Sequence, residues 1–148
     1  MTPITLDAIE AKQTEISKLI AQFKDQASRP TWLVLPQVDV QLYPGERYAG
    51  PVLDEAGNVL YHLVLMAQKP ATKLNHQAAM DWAASIGGML PTRQEQALLY
   101  ANCKPHLKPE WHWSCETYKD DASYAWLCNF SYGLNKSYAG SAVAVRRV

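Results

Sequence analysis

The sequence lacks any apolar run approaching the length of a membrane span, which excludes a transmembrane helix from the predicted elements. The first residues, Met1–Asp7, have neither the basic start nor the apolar centre of a signal peptide, so we expect a protein that is cytoplasmic at synthesis. An excess of charge of either sign is also missing, because 14 basic and 14 acidic side chains give a formal net charge of zero. No global field therefore favours nucleic acid or an anionic membrane as a partner.

Cysteine is scarce: Cys103, Cys115 and Cys128 are odd in number and form no paired framework. Reduced thiols fit this pattern better than a disulfide scaffold, with a Cys115–Cys128 bridge as the alternative. The potential metal donors that lie closest together in the sequence are His106, Glu110, His112, Cys115 and Glu116. Their spacing follows no zinc-binding pattern, and we predict neither a metal nor a cofactor.

What the sequence does contain first is a segment with helical spacing. Six positions are separated alternately by three and four residues: Leu6, Ile9, Gln13, Ile16, Ile20 and Phe23. This heptad seam predicts a coiled-coil-like helix over about residues 6–24, and the polar position within it resembles one that fixes register. A single helix of this length is marginal in water, so the seam must pack on its own domain or on copies of itself. We predict a small homo-oligomer, with a trimer favoured.

Pro30 ends this helix, and we divide the chain into an oligomerisation helix at 1–28 and one further domain at 29–148. In that domain, residues 32–35 and 38–42 are predicted strands. Residues 48–53 and 59–66 flank a five-residue connection that contains glycine, which predicts a β-hairpin.

The stretch Ile86–Glu95 has the chemistry of a helix stop followed by a helix start. Gly87 and Gly88 can take the left-handed conformation that closes one helix, and Thr92-x-x-Glu95 is a capping box that opens the next. Asn75 is the predicted N-cap of the first helix. Arg93 would lie in the first turn of the second, where the helix dipole disfavours a cation, so we expect it to have a carboxylate or carbonyl partner.

The last third of the chain reads as β-structure. Residues 124–130 alternate so that Tyr124, Trp126, Cys128 and Phe130 share one face, and residues 141–148 form a final predicted strand.

An ordered set of motifs then indicates a family. It comprises Trp82-Ala83, Gly88-x-Leu90-Pro91-Thr92-Arg93-x-Glu95, Trp113-Ser114, Ala125-Trp126-x-x-x-Phe130-x-x-Gly133 and Val145-Arg146-Arg147-Val148. Over about residues 47–148 it resembles the C-terminal domain of a bacterial collagen-like adhesin, a family common in phage and prophage proteins. The resemblance implies an α+β, C-type-lectin-like fold with two helices flanking a small twisted antiparallel sheet, and it implies virion association.

The resemblance also implies which residues are framework and where ligands bind. The framework residues would be Leu90, Pro91, Thr92, Arg93, Glu95, Trp113, Ser114, Trp126, Phe130, Gly133 and Arg146. Binding in such domains usually involves the irregular loops and strands late in the chain. The calcium-dependent sugar motifs of the lectin relatives are missing. A copper-dependent oxidase, as in the formylglycine-generating relatives, would need Cys115 and Cys128 to lie together.

Tyrosine, serine and asparagine are typical of binding loops, because they combine rigid amphipathic area with adaptable hydrogen bonding. The candidate ligand-binding residues are Tyr118, Tyr124, Asn129, Ser131, Tyr132, Asn135, Ser137 and Tyr138. We therefore predict a non-enzymatic ligand-binding or receptor-binding module for a protein or glycan, oligomerised by its N-terminal helix. A host-modulating protein-interaction factor and the oxidase are the alternatives.

Overall fold

The computed structural model describes residues 2–127 and 133–148, and the chain divides into one unit at 1–38 and another at 39–148. The first unit contains α1 (Leu6–Ser28). The second contains, in chain order, β1 (Arg47–Leu53), β2 (Val59–Leu65), α2 (His76–Ser85), α3 (Arg93–Asn102), a 3₁₀ turn (Lys104–His106), β3 (Trp113–Thr117), β4 (Tyr124–Leu127), β5 (Gly133–Asn135) and β6 (Val145–Arg147). The predicted α+β class is confirmed. Among the described residues, however, the strands form two three-stranded antiparallel sheets instead of the single sheet we expected.

Helix α1 begins at a side-chain cap and runs four residues beyond its predicted end. The Thr5 hydroxyl accepts a hydrogen bond from the Ala8 backbone N–H at 3.2 Å, which satisfies one of the unpaired donors of the first turn. Ile4 and Ile9 occupy the two positions of a hydrophobic staple around this cap. No residue of α1 is buried, so its apolar seam is exposed in the single chain.

The prediction of strands at 32–35 and 38–42 is wrong, because neither segment has regular secondary structure. A strand needs a neighbour to satisfy its backbone groups, and Pro30 and Pro36 remove backbone donors from this stretch. The apolar residues of this stretch do not pair with any strand of the described structure, and Trp32 is 90% exposed.

The first sheet has the order β1-β2-β6. Strands β1 and β2 form the predicted hairpin, and its connection is shaped by Asp54, whose carboxylate accepts hydrogen bonds from the Ala56 and Asn58 backbone N–H groups at 2.9 Å each. Strand β6 then pairs with β2, placing Arg147 opposite Leu63 and Val145 opposite Leu65. The final strand is shorter than the predicted 141–148.

Helices α2 and α3 begin at the predicted caps. The Asn75 side chain accepts from the Ala78 N–H at 2.8 Å, and Thr92 and Glu95 form both hydrogen bonds of the capping box. Of the two glycines between the helices, only Gly87 is left-handed, with φ of 80°. Gly88 is required for space: a Cβ there would lie 2.4 Å from the Met66 sulfur.

The second sheet has the order β3-β4-β5. It borders a core cluster that includes Trp113, Ala125 and Leu90, while a second cluster around Leu63, Leu99 and Val145 lies against the first sheet. The Trp113 ring N–H donates to the Leu74 carbonyl at 2.8 Å, so the polar atom of this fully buried side chain is satisfied.

Two consecutive arginines of β6 are bound by buried carboxylates. Arg146 pairs with Glu46 at 2.7 Å, and Arg147 donates to both oxygens of Glu95 at 2.8 and 3.2 Å. Burial alone raises the pKa of Glu95, but hydrogen bonds from Arg147 and Thr92 outweigh it and leave that pKa below its usual range. The C-terminal strand is thereby attached to the start of α3.

Loss of the α3 cap is the first prediction. Thr92→Ala removes the hydroxyl that accepts from the Glu95 N–H and should lower the free energy of unfolding by about 1 kcal/mol. Thr92→Ser keeps the oxygen and should stay near wild type. The measurement is urea unfolding followed by circular dichroism; equal losses in the two variants would contradict a capping role.

The second prediction concerns acid stability. Arg147→Met leaves the buried Glu95 carboxylate without its cation and should cost about 2–3 kcal/mol at pH 7, less than a fully buried pair because Arg147 is 35% exposed. Because the folded pKa of Glu95 is lowered, the wild-type contribution is present at neutral pH. It is lost as the pH falls below about 4.3, through the folded pKa.

Urea titrations across this pH range test the linkage. The difference between wild type and Arg147→Met should shrink in acid, because Glu95 is then neutral in both proteins. The control is Arg47→Met, which makes the same charge change at an exposed position of β1. A pH-independent difference would show that packing, not charge, holds Arg147.

Candidate ligand-binding site

The segment between α2 and α3 positions one wall of a candidate site on the second sheet. The Pro91 carbonyl accepts from the Cys115 N–H at 2.9 Å, and the Arg93 backbone N–H donates to the Glu116 carboxylate. Both hydrogen bonds join the start of α3 to β3. The Arg93 side chain is consequently held beside the same sheet.

Strand β4 supplies the aromatic side chains by simple alternation. Ala125 is fully buried in the core, so its neighbours Tyr124 and Trp126 lie on the opposite face of the sheet. Tyr124 is paired with Asn135 of β5, and Trp126 is paired with Gly133, a residue type without a side chain. The β5 partner therefore adds no bulk beside the indole.

Four side chains form what we call the aromatic face: Arg93, Tyr118, Tyr124 and Trp126. The Tyr118 and Trp126 ring centroids lie 4.6 Å apart at an angle of 33°, and Tyr118 and Tyr124 lie 6.3 Å apart. The Arg93 guanidinium carbon is 3.8 Å from the Trp126 ring centroid, a cation–π contact that fixes both groups. Tyr124 is 38% exposed and the other three are half-buried, so the face is both ordered and accessible.

A polar turn borders the aromatic face. The Asn135 side-chain oxygen accepts from the Ser137 N–H at 3.0 Å and from its hydroxyl at 2.7 Å, and the Tyr138 N–H donates to the Asn135 carbonyl. Asn135 therefore shapes the turn, while Tyr138 is exposed. Lys136 adds a cation close by, with its amine 3.1 Å from the Thr117 hydroxyl.

A second polar turn, just before β4, is built in the same way. The Asp121 carboxylate accepts from the Ser123 N–H at 2.9 Å and from its hydroxyl at 2.6 Å. Both hydrogen bonds lower the pKa of Asp121, and the one from the Ser123 hydroxyl has the larger effect. The Lys136 N–H donates to the Ser123 carbonyl, which links this turn to the Asn135 turn.

The structure brings part of the predicted ligand-binding set together. Tyr118 and Tyr124 are in the aromatic face, and Asn135, Ser137 and Tyr138 form the bordering turn. Three further predicted members fall outside the described residues: Asn129, Ser131 and Tyr132. Arg93 and Trp126, which the resemblance assigned to the framework, are the two residues of the aromatic face that the predicted set does not contain. The alternation of residues 124–130 was the available signal, since it places Trp126 beside Tyr124 on one strand face.

The cysteines were the candidates for enzyme chemistry. Cys103 is a buried free thiol and Cys115 a half-buried one, while Cys128 lies outside the described residues. Burial raises the pKa of both described thiols, and Glu116 and Glu95 raise that of Cys115 further. A raised pKa disfavours the thiolate, which is the form that attacks substrates or binds copper.

The potential metal donors near residue 110 do not share one site, because two of them hydrogen-bond to different partners. Glu110 accepts from the Ser141 hydroxyl, Glu116 accepts from the Arg93 N–H, and His112 is buried. Within residues 2–127 and 133–148, no three His, Cys, Asp or Glu side chains converge in a way that could hold a metal ion.

Compared with known proteins, the chain matches no protein-family model, no curated protein and no solved structure. In the part of the chain that the structure describes, no helix combines the length and apolar character needed to cross a bilayer.

Proposed function

We propose that this chain is a non-enzymatic ligand-binding module of the C-type-lectin-like, phage receptor-binding kind, and that its ligand is a glycan. The observation that supports this best is the aromatic face. Its rings are held in place by contacts at 3.8–6.3 Å, yet Tyr124 stays accessible. Rigid aromatic area lowers the entropy lost on binding, because the side chains are already ordered in the free protein.

The polar border suits a hydroxylated ligand. The turn next to the rings contains Asn135, Lys136 and Ser137. A flat sugar ring could therefore contact the aromatic side chains while its hydroxyl groups meet polar atoms of this turn. Proteins commonly combine an apolar surface with a few placed polar groups in this way when they bind small ligands.

The exposed seam of α1 supports the second part of the proposal, that the module is a small homo-oligomer and most simply a trimer. Five apolar seam residues, Leu6, Ile9, Ile16, Ile20 and Phe23, are 50–70% exposed, and Gln13 is exposed between them. Leu19 is exposed too and widens the apolar stripe. A second copy of the same helix has the matching spacing, and joining several copies would raise avidity for a weakly bound glycan.

A host-modulating protein-interaction factor is the second candidate function. It is favoured by the exposed apolar run Trp32–Leu35, which follows α1 and offers backbone donors and acceptors that no strand satisfies. A segment whose backbone groups are not used in a strand is suited to pairing with the edge of a partner's sheet.

Glycan binding is tested with the fluorescently labelled full chain on an array of bacterial surface glycans. Tyr124→Ala removes an accessible ring of the aromatic face and should weaken binding about fivefold or more. Tyr100→Ala removes a tyrosine from α3 that is more exposed, at 51%, and should leave binding unchanged. If no glycan binds, or if the two variants lose binding equally, the proposed site is wrong.

Self-association is tested by light scattering of the full chain. Ile9→Lys combined with Ile16→Lys places two charges in the seam and should reduce the mass to that of a monomer, 16.6 kDa. The control, Ala11→Lys with Gln22→Lys, adds the same charge on the opposite side of α1 and should keep the wild-type mass. A wild-type chain that is already monomeric would overturn this part of the proposal and favour the protein-interaction factor.

A further inference from the structure

A cavity that shares no residue with the aromatic face is lined by three lysines. Its volume is about 170 Å³, and its walls come from three separate parts of the chain, residues 69–73, 108–112 and 141–143. Lys69, Lys73 and Lys108 line it, whereas Glu110 is its one acidic lining residue. Counting these four side chains gives a local charge of +2 on a chain whose formal net charge is zero.

The interior of this cavity is polar and already organised. Glu110 accepts a hydrogen bond from the buried Ser141 hydroxyl, and its carboxylate lies 3.9 Å from the Lys73 amine. Glu110 thus partly neutralises Lys73, its nearest cation, and Lys69 and Lys108 are the other cations of the cavity lining. His112, only 4% exposed, lines the same cavity.

The pKa values of His112 and Lys69 respond to the neighbouring lysines. Burial lowers the pKa of His112 and outweighs the hydrogen bond to the Glu110 backbone, while the charges of Lys69 and Lys108 lower this pKa further. Lys69 is exposed as a residue, but partial desolvation of its amine lowers its pKa, with Lys108 acting in the same direction. Gathering like charges in one cavity is unfavourable unless an anion offsets them.

We propose that this cavity binds the phosphate group of a small phosphate monoester. A phosphate monoester carries close to two negative charges at neutral pH, which matches the local charge of +2, and its three terminal oxygens can each accept from an amine. The cavity is smaller than the roughly 300–1,000 Å³ typical of drug-sized ligands, so it suits the phosphate and a few attached atoms. A carboxylate, with a single charge, would leave one lysine uncompensated.

The test is a phosphorus NMR titration of methyl phosphate and inorganic phosphate with the full chain, with acetate as a competitor. We expect saturable binding in the millimolar range that acetate competes only weakly. Lys69→Gln with Lys108→Gln should weaken it about tenfold or more, and Lys73→Gln should have a smaller effect because Glu110 already shares that charge.

The control, Lys104→Gln with Lys119→Gln, removes the same total charge from lysines that do not line the cavity and should change binding less than about twofold. Absence of saturable binding would overturn the proposal, as would equal weakening by the two double variants or equal competition by acetate. Glycan binding by the aromatic face should be unaffected by the Lys69 and Lys108 changes, so this test and that of the proposed function fail independently.

Discussion

The buried Glu95 carboxylate is the group on which the arrangement of the second unit depends. It completes the capping box by accepting from the Thr92 N–H at 3.0 Å, and it also receives both hydrogen bonds from Arg147. One side chain thus fixes the start of α3 and the position of the C-terminal strand. Since Glu95 is fully buried, its charge is tolerable only while both partners are present.

The aromatic face follows from this arrangement. With the start of α3 fixed, the Pro91 carbonyl and the Arg93 N–H bind successive residues of β3, Cys115 and Glu116. The Arg93 guanidinium then reaches the Trp126 ring of the adjacent strand. Arg93, which the resemblance assigns to the framework, therefore forms part of the accessible aromatic face.

Charge distribution shows why global composition says little about sites. The chain has equal numbers of acidic and basic side chains, which gives no reason to expect an anionic ligand. Yet Lys69, Lys73 and Lys108 line one cavity, because the segment after β2 lies beside the segment that precedes β3. Acidic side chains in other parts of the chain offset this local excess of positive charge, which is why the net charge is zero.

Local interactions were readable from the sequence by itself. The caps at Asn75 and Thr92, the hairpin around Gly57 and the alternation that puts Tyr124 and Trp126 on one face of β4 each depend on residues within a few positions of one another. Tertiary structure decided the rest. The apolar run at 32–35 is not a strand because no neighbour pairs with it, and Arg93 contacts Trp126 across 33 positions of sequence. Such contacts arise only when distant segments pack, since side-chain spacing fixes which face a residue occupies but not what lies opposite it.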